Sequence, residues 1–294
     1  MSERLVWERD GRDWPNRAFS RFVAADGVRW HVQVMGEGPV ALLIHDTGAS
    51  THSFRALAPL LAPHWTVVMP DLPGHGFTAA PPSASGYALP SVARGVTALL
   101  EVLGVTPVLA AGHSAGAAVA LRMTLDRSIA PDCVVSLNGA LLPFPGMANE
   151  FFGPAARFLA SSAVTAKVFS LLAGARPSVE RMLRSTGSSI DAEGMRLYAR
   201  LAGNPGHVQG ALGLMANWDL HPLARDLPHL PARLILVTGS RDAMVPPVES
   251  YRVRALVPKA KLVSLAGLGH LAHEERPAEV AALLRRTMPD ETAG

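Results

Sequence analysis

One stretch decides the fold: Ala110–Ala111–Gly112–His113–Ser114–Ala115–Gly116–Ala117–Ala118. It continues the apolar run Val108–Ala111, contains the pattern Gly-x-Ser-x-Gly, and leads into an apolar helical pattern that extends to Leu125. This order predicts a strand, a sharp turn and a helix, which is the setting in which the pattern forms a nucleophile elbow. Only small neighbours fit around such a turn, and Gly112, Ala115, Gly116 and Ala117 are all small. The stretch therefore predicts that Ser114 presents its hydroxyl above a sheet, beside the first N–H groups of the next helix.

The length and composition are typical of one large α/β domain with an insertion, since the chain has 294 residues of which 49% are hydrophobic. Its net charge of +3 is small and dispersed, so we expect no nucleic-acid partner. The single cysteine, Cys133, adjoins the apolar run Val134–Leu137, which predicts a buried, inert thiol. The start, Met1–Asp10, is charged, and no apolar run reaches spanning length, so we expect neither a signal peptide nor a transmembrane segment. The sequence predicts a soluble cytoplasmic protein and leaves peripheral membrane attachment open.

Short apolar runs alternate with helical patterns along most of the chain. A hairpin is predicted at Asp26–Gly27, between the runs Arg21–Ala25 and Val28–Val34. Continuous apolar runs predict strands buried on both faces, and they lie at Val40–His45, Thr66–Met69, Val108–Ala111, Cys133–Leu137, Leu234–Thr238 and Lys261–Leu265. Helical patterns lie at Ser53–Leu61, Val92–Leu103, Ala117–Leu125, Val248–Leu256 and Ala278–Met288. The alternation predicts an α/β fold with a mostly parallel central sheet covered by helices on both faces.

The alternation stops between Asn138 and Leu230, where the patterns are helical throughout. We expect residues 139–230 to form a helical cap insertion over Ser114, between a first core part at 1–138 and a second at 231–294. Helical patterns lie at Glu150–Ser162, Val164–Ala173, Val179–Ser185, Gly194–Ala202 and Val208–Trp218. Most of the Phe and Met residues here would pack against the core, and the others would line an apolar cavity for a large hydrophobic ligand. The residues expected around this cavity are His45, Asp46, His113, Leu141, Phe144, Phe151, Phe158, Met215 and Trp218.

A serine nucleophile needs a histidine base to take its proton. His270 lies in the loop after the strand Lys261–Leu265, which places it at the carboxyl end of that strand. His273 is an alternative, but Glu275 and Pro277 begin the final helix, so His273 lies nearer the helix entry than the loop. We therefore expect His270 to be the base.

The base must be held by an acid, and behind a strand–turn–helix nucleophile the order is Ser, acid, His. Asp242 follows the strand Leu234–Thr238 and has the required place in this order. The alternative acid position, after Cys133–Leu137, contains Asn138, which cannot stabilise an imidazolium by charge. The sequence thus predicts a triad of Ser114, Asp242 and His270.

A tetrahedral intermediate also needs two hydrogen-bond donors for its oxyanion. The N–H of Ala115 is one candidate because it follows the nucleophile, and the N–H of Thr47 is the other because it lies in the loop after Val40–His45. No Gly-rich phosphate loop and no H-E-x-x-H pattern occurs. The histidines at positions 45, 52, 64, 75 and 113 do not repeat at ligand spacing. We therefore expect no metal site and no cofactor.

Five motifs are spread over the two core parts: His45-x-Thr47–Gly48, Pro70–Asp71–Leu72–Pro73–Gly74–His75–Gly76, Gly112–His113–Ser114–Ala115–Gly116, Gly239-x-x-Asp242 and Gly269–His270. Together they resemble the α/β-hydrolase superfamily. A closer resemblance covers nearly the whole chain and includes the insertion. It is carried by Asp13–Arg17, Thr47–Ser53, Ser136–Gly146, Ala216–Leu220 and Gly267–Glu275, which are similar to the magnesium-chelatase accessory proteins of bacteriochlorophyll biosynthesis.

One residue departs from the superfamily pattern, because Asp46 stands where a glycine is expected after His45. A carboxylate close to a developing oxyanion opposes the charge that the hole must stabilise. We therefore expect the Asp46 side chain to point away from the cavity and to accept hydrogen bonds from nearby backbone N–H groups or a basic side chain.

The resemblance implies a role near the insertion of magnesium into protoporphyrin IX, and a place in the cytoplasm or at the periphery of the photosynthetic membrane. Two hypotheses follow, and the complete triad of Ser114, Asp242 and His270 favours the first of them. In the first, the protein is a serine hydrolase that acts on an ester or acyl group of a hydrophobic substrate, with a tetrapyrrole as a candidate. In the second, it is a non-catalytic accessory of magnesium chelatase that binds porphyrin, or the chelatase itself, under the cap.

Overall fold

The computed structural model describes residues 3–143, 167–168, 170–171 and 174–287. Within them, eight strands form one sheet in the order β1-β2-β4-β3-β5-β6-β7-β8. The β1–β2 and β2–β4 pairs are antiparallel and every other pair is parallel. The strands are β1 Ser20–Ala25, β2 Val28–Met35, β3 Val40–Ile44, β4 Thr66–Pro70, β5 Pro107–His113, β6 Cys133–Leu137, β7 Arg233–Gly239 and β8 Lys261–Leu265. The predicted mostly parallel sheet and its strands are confirmed.

Helices follow most of the strands. The α-helices are α1 Trp7–Asp10, α2 Leu57–Leu61, α3 Leu89–Leu103, α4 Ala115–Leu125, α5 Arg176–Ser185, α6 Ala192–Ala202, α7 Pro205–Ala216, α8 His221–Asp226, α9 Pro247–Leu256, α10 Ala272–Glu275 and α11 Pro277–Arg285. Short 3₁₀ helices lie at Arg17–Phe19, Thr51–Phe54, Ala84–Tyr87 and Leu227–His229. Among the described residues, no helix combines the length and the hydrophobicity that a membrane crossing requires.

The sheet separates two hydrophobic clusters because alternate residues of a strand point to opposite faces. In β3, Leu42 and Ile44 belong to the cluster that contains residues of α3 and α4. Ala41 and Leu43 belong to the cluster on the other face, with residues of α2 and α11. Both faces are therefore covered, which explains why the central strands appear in the sequence as continuous apolar runs.

The helix predicted at Ser53–Leu61 is wrong in its extent, because the structure has a 3₁₀ turn at Thr51–Phe54 followed by the short α2. Pro59 has no N–H to donate to the carbonyl of Arg55, so one continuous helix would lose a bond there. That carbonyl accepts from Asn16 Nδ2 at 3.2 Å instead. The start of the turn is fixed by a tertiary bond, since the Thr51 N–H donates to Asp71 Oδ1 at 2.7 Å.

The described helices between β6 and β7 contact loops at the carboxyl ends of the strands. Gly210 in α7 lies so close to Gly74, in the loop after β4, that a Cβ on Gly210 would be 2.1 Å from the Gly74 carbonyl oxygen. Tyr198 in α6 donates its hydroxyl to Glu274 Oε1 in α10 at 2.7 Å. The patterns at Glu150–Ser162 and in most of Val164–Ala173 lie outside the described residues. The division into two core parts and a cap at 139–230 stays a prediction.

Candidate active site

Ser114 lies at a strained turn between β5 and α4. Its backbone φ is 51° and its ψ is −113°, a conformation that costs a non-glycine residue on the order of 1–3 kcal/mol and persists only where the surroundings enforce it. Those surroundings are closely packed: a Cβ on Gly112 would lie 2.3 Å from Ala117 N, and a Cβ on Gly116 would lie 2.2 Å from the Ile44 carbonyl oxygen. The Gly-x-Ser-x-Gly stretch thus has the geometry of a nucleophile elbow.

Asp242 and His270 are in direct contact at the carboxyl ends of β7 and β8. The Nδ1–H of His270 donates to Asp242 Oδ2 at 2.9 Å, and the side chains are 4% and 0% exposed. The other oxygen, Oδ1, accepts the N–H groups of Met244 and Val245, each at 2.9 Å. These bonds fix the carboxylate so that its second oxygen faces the imidazole.

Asn138, considered in the sequence only as an uncharged alternative to Asp242, is part of the same group. It follows β6, and its Nδ2 donates to Asp242 Oδ2 at 2.8 Å and to the Gly269 carbonyl at 3.2 Å. Its backbone φ of 50° is one that asparagine tolerates better than most residues. The role of Asn138 could have been predicted from its position in the sequence, because it follows β6, and β6 lies between the strands that precede Ser114 and Asp242.

The Asp46 side chain occupies the predicted oxyanion hole. Its Oδ1 accepts the N–H of Thr47 at 2.6 Å and the N–H of Ala115 at 3.3 Å. Its Oδ2 lies 3.7 Å from His270 Nε2. Asp46 does bond to backbone N–H groups, as expected. The expectation that it points away from the cavity is wrong, because those donors are the pair assigned to the oxyanion.

Ser114 and His270 are not hydrogen-bonded to each other in this structure. Among the described residues the Ser114 hydroxyl forms no hydrogen bond, and the Nε2 atom of His270 faces Asp46. The structure thus brings Asp242 and His270 together and places Asp46 against the nitrogen that the serine would need. His273, the alternative base, is buried, with its ring centroid 4.5 Å from that of His113 and 5.2 Å from that of Phe54.

The arrangement of strands and loops agrees with the family that the chain matches. Residues 41–283 match the model of the alpha/beta hydrolase family. The chain belongs to this family. It is 38% identical over 264 residues to the magnesium-chelatase 30 kDa subunit of Rhodobacter capsulatus, which covers 89% of this chain and 92% of that protein.

Further proteins similar to this family member include a methyl ester esterase and a solved structure of the same fold. The pimeloyl-[acyl-carrier protein] methyl ester esterase of Xanthomonas oryzae is 29% identical over 279 residues, which covers 88% of this chain and 100% of that protein. An alpha/beta hydrolase fold protein from Burkholderia ambifaria superposes with a TM-score of 0.74 at 19% identity, covering 97% of this chain and 99% of that one. The superposition shows the shared fold.

The charges in this α/β-hydrolase site are set by contacts between Asp46, Asp242 and His270. Burial disfavours a charged imidazole, but the two carboxylates outweigh it and raise the pKa of His270 to about 9. Burial also disfavours a charged Asp46, but His270 and the Ala115 N–H outweigh it and lower the pKa of Asp46 to about 2. Near neutral pH an imidazolium therefore lies between two carboxylates, and it cannot accept the Ser114 proton.

His45 and His113 were expected in the substrate pocket, but both are fully buried. Their rings form hydrogen bonds to nearby loops instead. His45 Nε2 accepts the N–H of Leu72 at 2.8 Å, and its Nδ1–H donates to the Asp46 carbonyl at 2.7 Å. His113 donates from Nε2 to the His270 carbonyl at 2.9 Å. These bonds fix the backbone of the oxyanion loop and of the His270 loop.

The other expected pocket residues are less informative. Leu141 is buried in the core and Trp218 packs against that core, whereas Met215 is 42% exposed on α7. Phe144, Phe151 and Phe158 lie outside the described residues. A cavity of 180 Å³ lies between α5 and α6, and its lining does not include Ser114, Asp242 or His270. The large cavity over Ser114 thus stays a prediction.

His207 lies in the predicted insertion and contacts both loops beside the oxyanion donors. It accepts the N–H of Gly76 on Nδ1 and donates from Nε2 to the Gly48 carbonyl, each at 3.0 Å. It therefore connects α7 to the loops after β3 and β4, next to the oxyanion donors. Within the described ranges, no cluster of three or more metal-binding side chains occurs.

Proposed function

We propose that the protein is an accessory of magnesium chelatase, active at the magnesium-insertion step of bacteriochlorophyll biosynthesis, and that its hydrolase-type site binds a hydrophobic tetrapyrrole without ester turnover. The similarity to the Rhodobacter capsulatus chelatase subunit supports the pathway. The position of Asp46 supports binding without turnover.

The observation that carries the proposal is the pair of bonds from Thr47 and Ala115 to Asp46 Oδ1. In acyl transfer, the loss of one oxyanion donor slows the reaction by about 10²–10³-fold. Here a carboxylate engages both donors and places a negative charge where the oxyanion would form. While Asp46 occupies the oxyanion hole, a tetrahedral intermediate has no free N–H donors, and the nearby carboxylate repels its negative charge.

A second candidate function is serine hydrolysis of an ester or acyl group. It is favoured by the strained Ser114 and by the buried bond between Asp242 and His270. The similarity to a methyl ester esterase supports the same chemistry. For this function Asp46 has to leave the hole during the catalytic cycle.

Complementation separates the two candidates. A strain that lacks the gene would be supplied with the wild type, Ser114→Ala or His270→Ala, and its protoporphyrin and magnesium porphyrins would be quantified, with protein levels checked by immunoblot. For the accessory, Ser114→Ala restores magnesium porphyrin to the wild-type level. Accumulation of protoporphyrin with Ser114→Ala present at normal abundance would overturn the accessory function and support the hydrolase.

Porphyrin binding is tested directly by fluorescence quenching of protoporphyrin with the purified protein. Met215→Glu puts a charge on the exposed face of α7 in the insertion and should weaken binding. Val102→Glu is the matched control, because Val102 is also exposed but lies on α3, outside the insertion. Equal affinities for both variants would contradict binding under the cap.

A further inference from the structure

Three polar groups from separate parts of the chain converge on the Asp46 carboxylate. They are the N–H of Thr47 after β3, the N–H of Ala115 at the start of α4, and the imidazole of His270 after β8. One carboxylate oxygen accepts both N–H groups and the other faces Nε2. The Thr47 contact is local, but Ala115 is 69 residues away along the chain, so the group is a tertiary site.

We infer that these three groups form a carboxylate-binding site whose resident ligand is the side chain of Asp46, and that Ser114 reacts slowly while Asp46 is bound there. The inference deepens the proposed binding function by naming a carboxylate as the group that the site takes. It depends on that function only for the identity of the natural ligand.

The resident carboxylate blocks Ser114 in two ways. It engages the donors that would stabilise the product of nucleophilic attack. It also keeps His270 protonated, together with Asp242, so that no base faces the serine hydroxyl. The ring centroid of the nearby His113 is 4.7 Å from that of His270, and burial and the His270 charge lower the pKa of His113 to about 4, so His113 adds no positive charge.

The geometry also defines the ligand. A site with two N–H donors on one oxygen and an imidazolium beside the other fits a planar carboxylate, and the attraction to an imidazolium favours the ionised acid over its amide or ester. Asp46 is 21% exposed, so its side chain has access to solvent. A ligand carboxylate would take its place, which makes the ligand class a carboxylic acid; its hydrophobic body follows from the proposed function.

The test empties the site and refills it. The labelling rate of Ser114 by a fluorophosphonate probe is measured at neutral pH for the wild type, Asp46→Gly and Asp132→Asn. Asp46→Gly should react at least roughly tenfold faster, since both donors and the base become available. Asp132→Asn is the charge control, because Asp132 is exposed and outside the site, and it should react like the wild type.

Acetate then replaces the missing side chain. It should slow the labelling of Asp46→Gly towards the wild-type rate, whereas acetamide, and chloride at equal ionic strength, should have no effect. The wild type should not respond to acetate. No acceleration in Asp46→Gly, or slowing by acetamide as much as by acetate, would overturn the inference.

A second variant covers the case in which Asp46→Gly does not fold. Asp46→Asn keeps the shape of the side chain and removes its charge, so the titration midpoint of His270, followed by NMR of labelled histidine, should fall relative to the wild type and to Asp132→Asn. An unchanged midpoint would overturn the inference. These measurements do not involve pigment synthesis, so a failure of the proposed pathway function would appear in complementation and leave them unaffected.

Discussion

Asp46 Oδ1 lies 3.3 Å from the backbone nitrogen of Ala115, the first residue of α4. In the elbow geometry this N–H is the donor nearest to the nucleophile, so its partner decides what the site can do. A carboxylate as partner satisfies the N–H groups at the helix start and benefits from the helix dipole. The same bond removes the donor from catalysis, and the stability of the loop and the reactivity of Ser114 therefore oppose each other.

The reactivity of Ser114 should depend on pH through His270. The base must be neutral to accept a proton, and Asp46 and Asp242 raise its pKa to about 9. Fluorophosphonate labelling of the wild type should therefore increase as the pH rises through about 9, and in Asp46→Asn the increase should begin at lower pH because one of the two carboxylates is neutral. Rates measured from about pH 6 to pH 10 check this, with Ser114→Ala as the blank. Identical midpoints for the two proteins would contradict it.

Much of this site is predictable from sequence because parallel strands place their carboxyl ends at one edge of the sheet. Ser114, Asp242 and His270 each follow a continuous apolar run, and the runs are long enough to identify as strands. The same reasoning separates His270, in a loop, from His273, which the structure buries in α10. Only the period of the hydrophobic pattern and the positions of Gly and Pro are needed for these steps.

The orientation of Asp46 is not predictable in this way. Its side chain reaches Ala115 only because β3 pairs with β5 in one particular register, with Ile44 opposite Gly112. A shift of the loop by one residue would direct the carboxylate elsewhere, and no local pattern specifies that. Asn138 is an intermediate case: its strand position is evident, but its two donor bonds depend on the positions of Asp242 and Gly269 in three dimensions.

The backbone strain at Ser114 should lower the free energy of unfolding by a measurable amount. Ser114→Gly removes the Cβ that makes a φ of 51° unfavourable, whereas Ser114→Ala keeps it, so the glycine variant should be more stable by about 1 kcal/mol. Ser178 in α5 is the control, since at a helical position glycine should be less stable than alanine. Urea unfolding of the four variants gives both differences. The same sign at both positions would argue against strain at Ser114.

Asn138→Asp should destabilise the protein near neutral pH. It replaces a donor that lies 2.8 Å from Asp242 Oδ2 with a second buried carboxylate, and like charges at that distance cannot both remain ionised at low cost. We expect a loss of about 1–3 kcal/mol in the free energy of unfolding, which becomes smaller as the pH falls and one carboxyl group takes up a proton. Asn138→Ala removes the donor without the charge, so its loss should depend less on pH. Parallel pH slopes for the two variants would contradict the electrostatic explanation.

The last prediction concerns the buried ion pair between Arg55 and Glu274, which lies beside the loop of His270. Their side chains are 7% and 0% exposed, and Tyr198 of α6 donates to the same carboxylate. Burial raises the pKa of Glu274 to about 7 even with Arg55 beside it, so the pair is fully ionised only above that pH. At about pH 8.5, Arg55→Met forces Glu274 either to stay charged without its cation or to take up a proton, and should cost about 3–5 kcal/mol of unfolding free energy. Arg55→Met with Glu274→Leu should recover most of that loss.

The matched control is the exposed pair of Arg184 and Glu180, which are 75% and 43% exposed in α5. Arg184→Met should cost less than about 1 kcal/mol, because solvent screens such a pair. Urea unfolding of all three variants gives these values. If the double variant is no more stable than Arg55→Met, the loss arises from the other contacts of Arg55, namely the packing of its stem and its ion pair with Asp191 at 2.6 Å, and not from an uncompensated charge on Glu274.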